Sequence, residues 1–379
     1  MTWESLLSLS TFSLRRSGRF VVADLVGPHR VLSTSVCNGG QVDHVRHLVN
    51  HQSCEGTAHR VRHNAMIDAG LDGYHDQVCA EIGIPADAAA VMGTAANMNY
   101  TAVVTEEDEG VMVTAAVTAG VEGNATSAGE PAHWRETDAG TEKVPVYAGT
   151  INTLLLINRP LTPGALARAV VTMTEGKSAA LHRLAVPSTL HIDLATGTGT
   201  DQYCIAAPLT SAGGTTLTSA SPHIKLGELI GVATRTATME AIRWQNGLEA
   251  SYTRGVFHAL GRYGVREATF FDDIAPLLDE EALALLKKNA KAALYEPLVG
   301  SAAHALAAVC DRVRHGTLPA SVGRDAMAQH AAILAANLAA QVHRWPEFRS
   351  RLLPSAGGEL KPLVLAALAL GWSEKWRSD

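Results

Sequence analysis

Aromatic residues are scarce in this chain. They make up 5% of its 379 positions, against 47% for all hydrophobic residues, so a buried core has to be assembled from Ala, Val and Leu. Cysteine is thin as well: Cys37, Cys54, Cys79, Cys204 and Cys310 are odd in number and form no CxxC pair. That argues against a disulfide framework or a zinc ribbon and fits a reducing cytoplasm. No segment reaches the ~18 consecutive apolar residues that a membrane-spanning helix needs. The opening MTWESLLSLSTFSLRR carries Glu4 where an export signal would be basic, and serines break its apolar run; a cytoplasmic protein without membrane association is expected. Basic excess is missing too. With 31 Lys and Arg against 37 Asp and Glu, the net charge is −6, which leaves no electrostatic footprint for nucleic acid.

What is present reads as an α/β protein: a mixed sheet with packed helices, followed by an all-helical C-terminal module. Phe20–Leu25 and Arg30–Val36 are β-rich runs separated by the turn signal Gly27-Pro28. The runs 99–104 and 111–117 flank EEDEG and predict a hairpin. After Leu161-Thr-Pro-Gly, apolar residues recur at helical spacing from Ala165 to Leu184, with Thr162 as N-cap and Pro163 in the first turn. A second helix is expected from Lys225 to about Trp244. From about residue 250 the texture turns Ala/Leu-rich over 280–293, 298–314 and 321–342. The chain is therefore expected to divide into a 1–250 domain and a 251–379 helical domain. The apolar faces of the latter need cover from the rest of the chain or from a second copy in a homo-oligomer.

Three polar, small-residue islands interrupt the apolar sequence between Gly149 and Gln202: GTINT at 149–153, TEGK at 174–177 and ATGTGTDQ at 195–202. Each sits at a boundary or on a helix, giving the order strand, helix, glycine-rich loop, strand. The threonine loop has neither the G-x-x-x-x-G-K-[ST] pattern nor the G-x-G-x-x-G spacing, so nucleotide binding is not indicated. There is no G-x-S-x-G nucleophile elbow.

These islands, with LSTSVCNGG at 32–40, VTAGVEGNA at 117–125 and KLGELIG at 225–231, resemble the adenosylcobinamide amidohydrolase family of corrinoid-salvage enzymes. The likeness runs over roughly 19–246, with the elements in the family's order. The family commonly reads TEAK where this chain has Gly176, a change that lowers helix propensity by about 1 kcal/mol. The resemblance implies a cobalt corrinoid as small-molecule substrate. It also implies hydrolysis of the amide between the aminopropanol arm and the corrin ring, giving adenosylcobyric acid for cobalamin remodelling. The chain has no D-x-H-x-x-G element, through which a protein histidine would ligate the cobalt.

An unstrained amide needs an activated water or nucleophile, a home for the oxyanion and a proton for the departing amine. Glu175 and Asp201 are the candidates for base, and Asn38 with the Gly39-Gly40 backbone for the oxyanion, on the reading that Cys37-Asn-Gly-Gly precedes a helix. Lys177 or His51 would supply the proton. Gly39, Gly40, His51, Asn124, Thr150, Asn152, Thr198 and Thr200 are expected to contact substrate. Alternatives from other classes are a corrinoid carrier without catalysis and a self-processing amidase of the N-terminal-nucleophile kind.

The loudest metal-like signal is a ladder at His47, His51, Glu55, His59 and His63, with His44 one turn before His47. A helix over 42–54 would align His44, His47 and His51 on one stripe. Positions eight apart on a helix lie ~12 Å apart, too far to share an ion whose ligand bonds are ~2 Å. One i,i+4 pair plus a third ligand could hold a divalent ion, but a polar face without metal is expected, Gly56 interrupting the ladder.

Overall fold

The computed structural model describes the backbone of residues 1–53, 59–132, 134–137, 140–143, 149–210 and 214–375, and the side chains within these except at 59–67, 134, 136–137 and 140–143. The chain divides into two compact units, one of residues 1–190 and 194–247, the other of 191–193 and 248–379.

The strands of the first unit are β1 (Glu4–Ser8), β2 (Phe12–Ser17), β3 (Phe20–Leu25), β4 (His29–Ser33), β5 (Gly40–Val42), β6 (His47–Gln52), β7 (Ala89–Thr94), β8 (Ala102–Asp108), β9 (Val111–Ala119), β10 (Ala125–Thr126), β11 (Trp134–Thr137), β12 (Gly140–Lys143), β13 (Ile151–Ile157), β14 (Gly197–Thr198) and β15 (Gln202–Pro208). Its helices are α1 (His59–Ile82, broken at Gly70), α2 (Pro163–Arg183) and α3 (Lys225–Asn246). Five strands form one sheet in the order β1-β2-β3-β6-β7, and six form another in the order β5-β4-β15-β13-β9-β8. Pairs β10–β14 and β11–β12 stand apart.

Alternation along the strands explains why the two large sheets stack. Leu14, Val21, Ala23, Leu48 and Met92 of the first sheet meet Ala116, Leu154, Leu156, Cys204 and Ala206 of the second in one buried cluster. The opposite face of the first sheet, with Phe20, Val22, Val49 and Val91, packs on Val78 and Cys79 of α1. On the second sheet α3 lies against β8 and β9, and α2 lies against α3. The result is helix, sheet, sheet, helix. β13 is buried at every position, as a central strand covered on both faces should be; each fully buried Leu there contributes roughly 1.5–3 kcal/mol.

Local chemistry sets the elements that carry the site. Thr162 caps α2 by accepting a hydrogen bond from Ala165 N at 3.2 Å, with Pro163 at the first position; such a cap is worth about 1 kcal/mol. Gly176 sits where a Cβ would come within 3.0 Å of Gly231 O on α3, so its lack of a side chain serves close helix packing. The hairpin β8–β9 forms around Glu109 and Gly110, both at positive φ. β13 and β15 run parallel, Asn152 opposite Gln202, with α2 between them in the chain.

The second unit is all helical: α4 (Ala250–Thr253), α5 (Val256–Leu260), α6 (Phe270–Ile274), α7 (Glu280–Leu294), α8 (Pro297–Arg314), α9 (Ala320–Ala339), α10 (Trp345–Leu352) and α11 (Leu360–Glu374). α9 is its axis, touching α8, α10 and α11 through buried Ala328, Ala331, Ala332, Ala335 and Ala336. Asp311 takes both Arg262 Nη1 and Nη2 at 2.6 Å and the Tyr263 hydroxyl. No single helix among the described residues is long and apolar enough to cross a membrane.

Candidate active site

The carboxylate of Asp201, just before β15, ties the three islands together. Its Oδ2 meets Lys177 Nζ from α2 and accepts from Thr198 N at 3.1 Å. Its Oδ1 accepts from Thr198 Oγ1 at 2.6 Å and from Ile151 N at 3.0 Å. Gly197 lies under this ion pair, where a Cβ would fall 2.5 Å from Asp201 Oδ2 and 2.7 Å from Lys177 Nζ. Four donors thus occupy both carboxylate oxygens of Asp201. It positions the threonine loop against the start of β13.

Beside it lies a tight set of hydroxyls and amides. Thr150 Oγ1 is 2.7 Å from Thr200 Oγ1 and donates to Thr200 O at 2.6 Å. Thr200 Oγ1 donates to Gly149 O at 2.8 Å, and Asn124 Nδ2 reaches the same carbonyl at 2.9 Å. Asn124 Nδ2 also lies 3.2 Å from Thr200 Oγ1. Thr150 and Asn124 are buried, whereas Thr200 is exposed.

Thr200 opens onto a cavity of about 230 Å³ lined by residues that include Ser35, Cys37, Ser53, Tyr74, Gly93 and Gln202. Its walls come from the ends of β6 and β7, the entry to β15, the loop after β4, and α1. Gly93 N donates to Gln202 Oε1 at 3.0 Å, which ties the two sheets at this edge. Val36 and Leu71, 63% and 62% exposed, also line it. Cys37 Sγ donates to Asp72 Oδ1 at 3.3 Å; burial, then Asp72, pushes the thiol above its ordinary value, so it is protonated and not a thiolate nucleophile near neutrality.

The structure gathers Lys177, Asp201, Asn124, Thr150, Thr198 and Thr200, and leaves other expected residues elsewhere. Glu175 is exposed on α2; two residues from Lys177, it turns ~200° away around the helix. The apolar surroundings that a buried base would need are therefore missing. Asn38 is spent on structure: its Nδ2 donates to Ala86 O and Ala89 O at 2.8 Å. Gly39 and Gly40 turn the chain from β4 into β5, Ser33 pairing with Gly40. A strand follows this loop, not a helix, so no helix terminus assists an oxyanion there. Asn152 is fully buried between the sheets, donating to Asn50 Oδ1 at 2.9 Å and Gly93 O at 3.0 Å; it braces the site's frame.

The histidine ladder also departs from its helical reading. His47 and His51 lie on β6, where four residues span ~13 Å, so they share no ion. His47 Nδ1 pairs with Asp24 Oδ1 at 2.7 Å. His51 stacks on Phe20, and its Nδ1 meets the Tyr74 hydroxyl at 2.5 Å. Burial, reinforced by Arg19, lowers its pKa to about 3; the neutral ring holds Tyr74 at the cavity wall and is not an imidazolium that could protonate a departing amine at neutral pH. His44 Nε2 is 3.4 Å from Asn38 Oδ1. Glu55, Gly56 and the side chains of His59 and His63 lie outside the described residues.

Residues that sequence reading did not single out are Ser35, Ser53, Tyr74, Gly93 and Gln202. Ser35 and Gln202 had a signal, as letters of the LSTSVCNGG segment and the ATGTGTDQ island. The others come from strand ends and a helix face that carry no polar cluster of their own.

A clamped carbonyl, paired hydroxyls and an adjoining cavity make a site suited to binding and polarising an amide. The model of the adenosylcobinamide amidohydrolase family matches residues 7–250, and the chain belongs to that family of hydrolases. It is also 37% identical over 185 residues to an uncharacterized protein of Methanocaldococcus jannaschii, a match spanning 46% of this chain and 71% of that protein. Among solved structures, the PH0078 protein from Pyrococcus horikoshii is similar at a TM-score of 0.30 and 11% identity, over 59% of this chain and 78% of that one.

Proposed function

We propose that this protein hydrolyses the amide joining the aminopropanol arm to the corrin ring of adenosylcobinamide, releasing aminopropanol and adenosylcobyric acid. The observation that carries the reading is that the threonine-loop island opens onto a cavity and is bonded to the next island: Thr200 and Gln202 line the cavity, and Thr200 is bonded to Thr150 and Gly149.

Size supports an arm, not a whole corrin, as the occupant. Pockets for drug-sized ligands run to ~300–1,000 Å³, and about 230 Å³ falls below that. The macrocycle would rest outside, against exposed Val36 and Leu71, with the amide beside the Thr150–Thr200 hydroxyl pair. Asn124 Nδ2 and Thr200 Oγ1, which already meet on one carbonyl oxygen, are donors of the kind that stabilise a tetrahedral oxyanion. Lys177 and Asp201 would hold this loop in place, in a salvage role within the cytoplasm.

Incubation of the protein with adenosylcobinamide, followed by chromatography, tests the proposal. Equal amounts of aminopropanol and adenosylcobyric acid are expected. Tight binding with the corrinoid recovered whole would replace the reading with that of a carrier.

A further inference from the structure

The peptide bond between Gly149 and Thr150 is held by side chains on both sides. The Gly149 carbonyl oxygen receives two side-chain donors, Asn124 Nδ2 at 2.9 Å and Thr200 Oγ1 at 2.8 Å. On the other side of Thr150, the Ile151 amide is fixed to Asp201 Oδ1 at 3.0 Å. Between these anchors Thr150 carries a hydroxyl 2.7 Å from Thr200 Oγ1, the group that also touches the Gly149 carbonyl oxygen. A Cβ on residue 149 would come within 3.0 Å of Gly120 O and 3.1 Å of Asn124 N, so only glycine lets the carbonyl sit in this cradle. Polarised carbonyl, adjacent hydroxyl and a hydroxyl shuttle are the parts that an intramolecular acyl shift needs.

We infer that the chain cuts itself between Gly149 and Thr150, leaving Thr150 as a new N-terminal residue. Thr150 Oγ1 attacks the Gly149 carbonyl carbon, forming a C–O bond, while Asn124 Nδ2 holds the oxyanion and Thr200 Oγ1 relays the proton. The hydroxyl proton passes by way of Thr200 Oγ1 to the Thr150 nitrogen as the C–N bond breaks. Water then hydrolyses the resulting ester, giving a Gly149 carboxylate and restoring the Thr150 hydroxyl. One water is consumed and no other reactant is required. Thr150 is 4% exposed in the uncut chain, and severing the bond frees its hydroxyl on the side where Thr200 opens onto the cavity. The released α-amine is a base beside a hydroxyl, which is how a threonine nucleophile is activated.

The second half of the inference, that freed Thr150 attacks the corrinoid amide, rests on the function proposed above; the cleavage itself does not. The mass spectrum of the purified full-length chain after incubation at neutral pH tests it. Two species are expected in place of 40.0 kDa, about 16 and 24 kDa in proportion to the residues on either side of the bond, the larger reading Thr-Ile-Asn-Thr from its N-terminus. Thr150→Ala should remain whole, Thr150→Ser should still cut, and Asn124→Ala should cut roughly 10²-fold more slowly. A wild-type chain that stays at 40.0 kDa, or a Thr150→Ala chain cut at the same bond, overturns the inference. An uncut chain that hydrolyses adenosylcobinamide would sink this inference alone. A cut chain that leaves adenosylcobinamide whole would sink only the proposed substrate.

Discussion

Lys177 on α2 and Asp201 before β15 pair across Gly197, and that pair fixes the threonine loop to the head of β13. Both side chains are mostly buried, 15% and 18% exposed. Removing one partner leaves the other charge half-desolvated. Asp201→Asn should lower unfolding free energy by roughly 2–3 kcal/mol, in the range for hydrogen bonds to charged groups. Lys177→Met combined with Asp201→Asn should cost less than the sum of the two, with a coupling of about 1 kcal/mol or more. Urea unfolding of the four proteins checks this; additive losses would mean that the pair does not hold the loop.

Glu175 gives the opposite expectation. It is exposed and faces away from Asp201, so Glu175→Gln should change stability by no more than about 0.5 kcal/mol and leave turnover near parental. A drop in turnover by roughly 10²-fold would restore it as a proton-transfer group.

Thr200 touches three groups of the site through one hydroxyl, and it is exposed, so its loss should spare the fold. Thr200→Val should reduce kcat for adenosylcobinamide by roughly 10²-fold with KM little changed, the pattern of an interaction made in the transition state. A variant with raised KM and intact kcat would make Thr200 a binding contact only.

His51 provides a pH test. Its folded value, about 3, lies below the ordinary 6.5, so the unfolded chain takes up the proton first. The stability carried by the neutral ring is whole above about pH 6.5 and is lost as pH falls toward 3, at up to ~1.4 kcal/mol per pH unit. His51→Gln should flatten the acid limb of the stability profile by about one proton. An unchanged slope between about pH 6 and 4 would show that His51 is not the group responsible.

Much of this was legible because local chemistry decides it. Thr162 and Pro163 start α2 where the sequence puts them, since a cap and a fixed φ act within one turn. The parallel β13–β15 pair flanking α2 follows from the order of the islands. His47 and His51 misled because positions four apart share a face on a helix and on a strand alike, and β-sheet pairing with β3 and β7 settled the matter. The Cys37-Asn-Gly-Gly loop misled for a related reason: a turn after a strand can enter a helix or a hairpin, and pairing of β5 with β4 is non-local. Thr150 and Asn124 were placed in the site by family order, but their meeting on the Gly149 carbonyl depends on chain segments 25 to 76 residues apart, which no local pattern encodes.

Isotope transfer from water tests amide hydrolysis most directly. Adenosylcobinamide would be turned over in ¹⁸O-water and both products examined by mass spectrometry. The expected result is one ¹⁸O in the new carboxylate of adenosylcobyric acid and none in an equal amount of aminopropanol. Corrinoid recovered unlabelled and whole, or label in the aminopropanol oxygen, would contradict hydrolysis at the amide.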